Sequence, residues 1–111
     1  MPIYITQGRY TRDAIKGMMV RPEDRADAVS RLLAKAGGRL LGYFLTFGEY
    51  DFMVISEVPN DVQAAAVLLA ASSGGGVTDL RTTVAMSAVE AKGAFAAASD
   101  IAPGFKSAGG T

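Results

Sequence analysis

The chain has no cysteine, no histidine and no tryptophan. Without cysteine there is no disulfide framework, no thiol nucleophile and no zinc held by sulfur. Without histidine it lacks the commonest general base, the usual haem and zinc ligand, and the side chain that normally titrates near neutral pH. Haem held through a histidine is excluded, and Asp, Glu, Tyr and Arg are what remain to do chemistry. Neither sign of charge is in excess: 11 basic and 11 acidic side chains give zero net charge at pH 7. No basic block is present of the kind that tracks nucleic acid, and little repulsion opposes self-association. No apolar run approaches the ~18 residues that cross a bilayer. The opening Met1-Pro2-Ile3-Tyr4 has neither the charged nor the apolar region of a secretory leader. The expectation is a cytoplasmic protein with no membrane and no nucleic-acid partner.

What is present is apolar. Half of the 111 residues are hydrophobic, enough for one domain with its own core. The densest stretch is 39–58, RLLGYFLTFGEYDFMVISEV. Its β-branched and aromatic residues suit a pleated surface, and Phe47-Gly48-Glu49-Tyr50-Asp51 at its centre reads as a tight turn joining two strands. Both strands carry apolar residues on both faces. Leu41, Tyr43, Leu45 and Phe47 oppose Leu40 and Phe44; Phe52, Val54 and Val58 oppose Met53 and Ile55. A sheet with one wet face alternates cleanly, so each face of this one requires a cover.

Around this hairpin the chain reads in order. Residues 2–10 form a first strand, with Ile3 and Ile5 on one face and Tyr4, Thr6 and Tyr10 on the other; Gly8 marks a bulge or a close approach. Thr11 caps a short helix that breaks near Val20-Arg21. Pro22 opens a second helix with Glu23 and Asp24 at its positive end, a stripe of Ala26, Val29, Leu32, Leu33 and Ala36, and Gly37-Gly38 as its stop. Glu23, Asp24 and Asp27 are a solvated helix start, and no metal site is expected. After the hairpin, Asn60 or Asp61 caps an alanine-rich helix over 62–72. Gly74–Gly76 ends it, and 77–86 is a fourth strand with Leu80 and Val84 inward. Ser87 and Glu90 match a capping box for a last helix to about Ala98. The expected domain is 1–98, with 99–111 a flexible tail unless Ile101 and Phe105 dock.

Strand, helix, strand, strand, helix, strand is the split βαβ order of a ferredoxin-like α+β fold, βαββαβ, here with an extra C-terminal helix. Both crossovers cover one face of an antiparallel sheet. The other face needs a lid, which a second copy of the sheet, in a dimeric α/β-barrel-type assembly, or the last helix of the same chain would supply. The same topology brings Tyr10, Thr11, Gly48, Tyr50, Asp51 and Gly74–Gly76 to one end of the sheet.

Gly48-Glu49-Tyr50-Asp51-Phe52, with Tyr4-Ile5-Thr6, Pro22-x-x-Arg25 and Gly37-Gly38-Arg39-Leu40, resembles the GYD-domain family over about residues 2–88. The family is named for the signature at Gly48, Tyr50 and Asp51. The resemblance implies a small, usually oligomeric ferredoxin-like protein of bacteria or archaea and no established reaction. The hairpin is also similar to the effector-binding domains of the leucine-responsive regulators, which are dimeric and bind small amino acids between subunits. This chain lacks their helix-turn-helix segment, so such a role would be sensing without DNA.

The expected function is a non-catalytic small-molecule-binding or assembly module, with itself as first partner and no cofactor. The ligand-binding candidates are Tyr4, Tyr43, Tyr50, Asp51 and Arg81, between the sheets or at their rim. Arg25 is a further anion anchor. A bland role stands beside each: Asp51 accepts backbone N–H groups at the turn, the tyrosines pack with one wet end, and Arg81 pairs with Asp79. The alternative is a small cofactor-free enzyme of the dimeric α/β-barrel type, monooxygenase- or isomerase-like.

Overall fold

The computed structural model describes residues 1–110. Four strands and four helices follow in the order β1 (Ile3–Tyr10), α1 (Arg12–Val20), α2 (Arg25–Lys35), β2 (Arg39–Leu45), β3 (Phe52–Glu57), α3 (Asp61–Ser73), β4 (Val77–Ala85) and α4 (Ala88–Ile101). The sheet is antiparallel with strand order β2-β3-β1-β4, consistent with the ferredoxin-like arrangement. No helix among the described residues is long and apolar enough to cross a membrane.

The helices begin where short polar side chains satisfy orphan N–H groups. Thr11 accepts from Ala14 N, Asp24 from Ala26 N and Asn60 from Gln63 N, and Ser87 and Glu90 form the full capping box of α4. The cap at Asp24 corrects one expectation. Pro22 lies outside α2, which starts at Arg25, because the aspartate rather than the proline supplies the acceptor. The stop is as expected: Gly37 takes φ 78°, a left-handed conformation that glycine alone adopts freely. The helix α4 runs to Ile101, past the expected end at Ala98.

Strand parity sets the two faces. On one, Tyr4, Thr6 and Gly8 of β1 sit beside Phe52, Val54 and Ser56 of β3, and α2 and α3 cover them. Here Tyr4, Leu33, Val58 and Ala64 make the core cluster, with Val29, Leu40 and Val67 packed against it. Each large apolar side chain so buried contributes roughly 1.5–3 kcal/mol. Two bulges alter the simple alternation. A register shift at Leu41 turns Leu40 toward the helices with Tyr43 and Leu45, so Leu41 no longer shares their face. A second shift, at Gly8, lets β4 approach so closely that a Cβ there would stand 2.6 Å from Leu80 Cδ2 and 2.7 Å from Phe52 Cζ. Val84 is on the helix side as expected, yet it is exposed at the sheet edge. The hairpin connection is wider than a tight turn: β2 ends at Leu45 and six residues, Thr46 to Asp51, precede β3.

The opposite face carries Ile3, Ile5, Met53, Ile55 and Phe44, and α4 does not lie across it. Apart from Ala91, every residue of α4 is exposed, as are Phe105 and the chain after it to Gly110. The molecule is correspondingly long, 62 × 32 × 21 Å, with a radius of gyration of 18.0 Å, against about 13 Å for a compact chain of this length.

Two glycines test the packing in opposite directions. A Cβ on Gly38 would collide with the carbonyl oxygen of Glu57, a backbone atom that cannot swing away. Gly38→Ala is expected to cost about 1–3 kcal/mol, read as a lower urea midpoint at unchanged slope. In α1 the Gly17 position has nothing within 4 Å, so Gly17→Ala is expected to raise stability by about 0.5–1 kcal/mol.

Candidate functional site

The end of the sheet where β1 exits is knitted by backbone and side-chain bonds. Asp51 N donates to Gly8 O at 2.8 Å, Thr46 N to Asp51 O at 2.9 Å, and Thr11 N to Gly76 O at 3.0 Å. The Asp51 carboxylate accepts from Tyr10 N at 2.9 Å, immediately before the cap of α1. Thr11 Oγ1 donates to Gly75 O at 2.9 Å and Thr46 Oγ1 to Tyr50 O at 2.6 Å. The convergence of strand exit, hairpin loop and glycine loop is therefore bond for bond. Gly48 has φ 152°, a conformation that side chains disfavour, so the loop calls for glycine there although a Cβ would meet nothing within 4 Å.

Directly behind this knot, between α2, α3 and the sheet, lies a cavity of 260 Å3. It exists because the residues roofing it are small. Ala28, Ala71, Gly74 and Gly76 stand where larger side chains would reach the sheet, and Leu32 and Val77 close only part of the gap. Its wall is aromatic. The Phe52 ring is stacked with Tyr43, with centroids 6.1 Å apart, and lies against Tyr10 at 5.0 Å, so one ring aligns two tyrosines whose hydroxyls bond to each other. Arg25, the first residue of α2, also lines the cavity, with its guanidinium 3.0 Å from Glu23.

Burial, then the hydrogen bond with Tyr10, pushes the Tyr43 hydroxyl well above the ordinary tyrosine value, and Arg25 opposes this in part. A tyrosine so held is a hydrogen-bond donor rather than a base at neutral pH. The cavity thus offers an apolar interior with a neutral hydroxyl pair and one guanidinium.

The structure distributes the expected site residues over three places. Tyr43 lines the cavity. Tyr4 is buried in the core, its hydroxyl donating to Asp61 Oδ1 at 2.6 Å. Tyr50 and Arg81 face a shallow depression on the other side of the hairpin loop, shared with Gln7 and Phe47. There the Arg9 and Arg81 guanidiniums lie 5.2 and 6.0 Å from the Tyr50 ring centroid. Asp79 pairs with Arg9 at 3.2 Å rather than with Arg81, because it takes φ 54° at the bulge and turns out of the strand's alternation. Asp51 lies between the two regions and holds the backbone. Topology places Tyr10 and Gly74–Gly76 at this end of the sheet, as expected, but Tyr10 is not among the expected ligand-binding residues, and Phe52, Ala28 and Ala71 do not stand out in the sequence as cavity lining. Tyr10 and Tyr43 share a face by strand parity, but the bulges at Gly8 and Leu41 hide that they meet.

These features define a small α+β module with an apolar chamber inside the single chain. The GYD domain profile matches residues 4–95, and the chain belongs to that family. In structure it is similar to TTHA0845 from Thermus thermophilus, known from a crystal structure. The TM-score is 0.52 at 17% identity, over 79% of this chain and 96% of that one. At that identity the likeness speaks to fold alone. No curated protein matches in sequence.

Tyr4 is raised as well, first by its bond to Asp61. Both tyrosines have folded values above the unfolded value of 10.0. The stability they contribute is fully present below pH 10.0 and is lost as pH rises through the folded values. In an alkaline titration followed by tyrosinate absorbance, Tyr4 and Tyr43 should ionise late, together with unfolding. Tyr43→Phe should diminish the late absorbance change, and a late change that Tyr43→Phe leaves unaltered would contradict the assignment.

Proposed function

We propose that this protein is a non-catalytic small-molecule-binding module that works as a homodimer joined through the bare face of its sheet. The observation that carries the binding reading is the 260 Å3 chamber with its hydroxyl pair and guanidinium. Ligand sites are mostly apolar with a few polar groups that fix orientation, and this volume suits a ligand smaller than a typical drug. The lining fits a molecule with an aliphatic or aromatic body and one acceptor end, a carboxylate or carbonyl, that takes bonds from Tyr43 and Arg25. The observation behind pairing is the row Ile3, Ile5, Met53, Ile55 and Phe44 on a face that no helix covers. A second reading, the small cofactor-free enzyme, is favoured by the same hydroxyl pair, which could polarise a bound carbonyl. The absence of histidine and cysteine, and a Tyr43 held neutral, weigh toward binding without turnover.

Thermal shift against short monocarboxylates, aromatic acids and their matching alcohols tests the binding reading. A ligand at a hundred times its dissociation constant stabilises the native state by about 2.7 kcal/mol. The acids are expected to raise the melting temperature more than the alcohols. Ala71→Leu, which fills the chamber, is expected to fold and to abolish the shift. No shift with any member of the panel, or a shift that survives Ala71→Leu, would overturn the assignment.

A further inference from the structure

Among the described residues, Arg25 is the one charged side chain that lines the chamber. Its guanidinium already holds a carboxylate. Arg25 Nη1 donates to Glu23 Oε1 at 3.0 Å. The Arg25 side chain is 33% exposed and that of Glu23 52%, so the cation is partly withdrawn into the wall and the carboxylate reaches it from the solvent side. Arg25 also lies close enough to Tyr43 to ease the ionisation of its hydroxyl. The guanidinium therefore has both the chamber's hydroxyl and a carboxylate of its own chain as neighbours.

The place of Glu23 is built into the start of α2. Asp24, the residue between the pair, is the helix cap. Its side chain accepts from Ala26 N at 3.0 Å and its carbonyl from Asp27 N at 3.2 Å. These bonds fix the backbone one residue from Glu23 and one residue from Arg25. Glu23 itself precedes the helix, in a stretch, residues 21–24, that is exposed throughout, so no core packing depends on its side chain.

An arginine in the wall of an apolar chamber is suited to an incoming carboxylate. Here that acid meets a rival. Two carboxylates at one guanidinium repel each other, so the ligand's acid has to push Glu23 aside or share Arg25 with it. An exposed ion pair holds weakly, and Glu23 therefore lowers the affinity for acids without closing the site. An alcohol of the same shape meets no such opposition.

We propose that Glu23 is a built-in competitor for the chamber's ligand: its carboxylate contends with the ligand's for Arg25, and so sets how far the protein prefers acids over the matching alcohols. This rests on the binding reading of the chamber and names the residue that tunes it.

Calorimetric titration of the full chain with benzoate, benzyl alcohol, hexanoate and hexanol tests the proposal. In Glu23→Gln both acids are expected to bind about two- to fivefold more tightly, with both alcohols unchanged. Asp27→Asn removes the same charge from a first-turn carboxylate of α2 that pairs with Arg31 instead, and is expected to leave all four affinities at the wild-type values. In an Arg25→Met background the gain from Glu23→Gln is expected to vanish, which a double-mutant cycle reads directly. Acid affinities that ignore Glu23→Gln overturn the competitor and leave the chamber standing. So does a gain that extends to the alcohols, that Asp27→Asn reproduces, or that persists without Arg25. No binding of any of the four probes, to the wild type or to Glu23→Gln, overturns both.

Discussion

The carboxylate of Asp51 is the tie on which the rest of the arrangement depends. Three segments distant in sequence meet at it. Its side chain holds Tyr10 N, its own N–H holds Gly8 O, and its carbonyl closes the hairpin loop on Thr46 N. Removing the acceptor would leave a partly buried N–H unpaired, at a cost of about 1–3 kcal/mol. Position matters more than energy here. Tyr10 is the last residue of β1 and Tyr43 lies across the sheet on β2, so the hydroxyls meet only while the hairpin is held against the exit of β1. The glycine–tyrosine–aspartate signature is thereby a structural device: Gly48 allows the loop its path, Tyr50 stacks under two arginines, and Asp51 fastens the loop to the body.

From that tie the two faces of the sheet follow different courses. On the helix side the core is closed near Leu33 and Val58 and open toward Arg25 and Gly76, because α3 is built from alanine and its glycine loop adds no bulk. Interiors normally pack without such gaps, and this one lies beside the Tyr10 and Tyr43 hydroxyls. On the other side Ile3, Ile5, Met53 and Ile55 lie beside Gln7, Arg81 and Thr83, and α4, nearly all of whose residues are exposed, does not cover them. The cavity and the uncovered face lie on opposite sides of the sheet.

Much of the architecture was legible in the sequence because its signals are local. The caps at Thr11, Asn60 and Ser87, the stop at Gly37-Gly38 and the parity of Ile3/Ile5 against Tyr4/Thr6 each depend on a few adjacent residues. The convergence at Asp51 was legible too, since topology alone decides which loops share an end of the sheet. The start of α2 misled because Pro22 and Asp24 offer competing helix starts and only the acceptor decides between them. The chamber was not legible. It arises from what Ala28, Ala71 and Gly74 fail to fill, while the bulge at Leu41 puts Leu40 in place of Leu41 on the face that carries Tyr43. Short residues in a helix announce close packing as readily as a void, so the pattern alone does not separate the two. For the same reason the site residues expected between the sheets are spread over the core, the chamber and the outer depression.

The claim that Asp51 fastens the hairpin to β1, and so builds the chamber, is tested most directly by amide hydrogen exchange at Tyr10. The account predicts a strongly protected Tyr10 amide in the wild type. In Asp51→Ala that protection should be lost, along with that of Thr46, while the amides of β3 beyond Val54 keep theirs. A Tyr10 amide that exchanges freely in the wild type, or one whose protection is indifferent to Asp51→Ala, would contradict it.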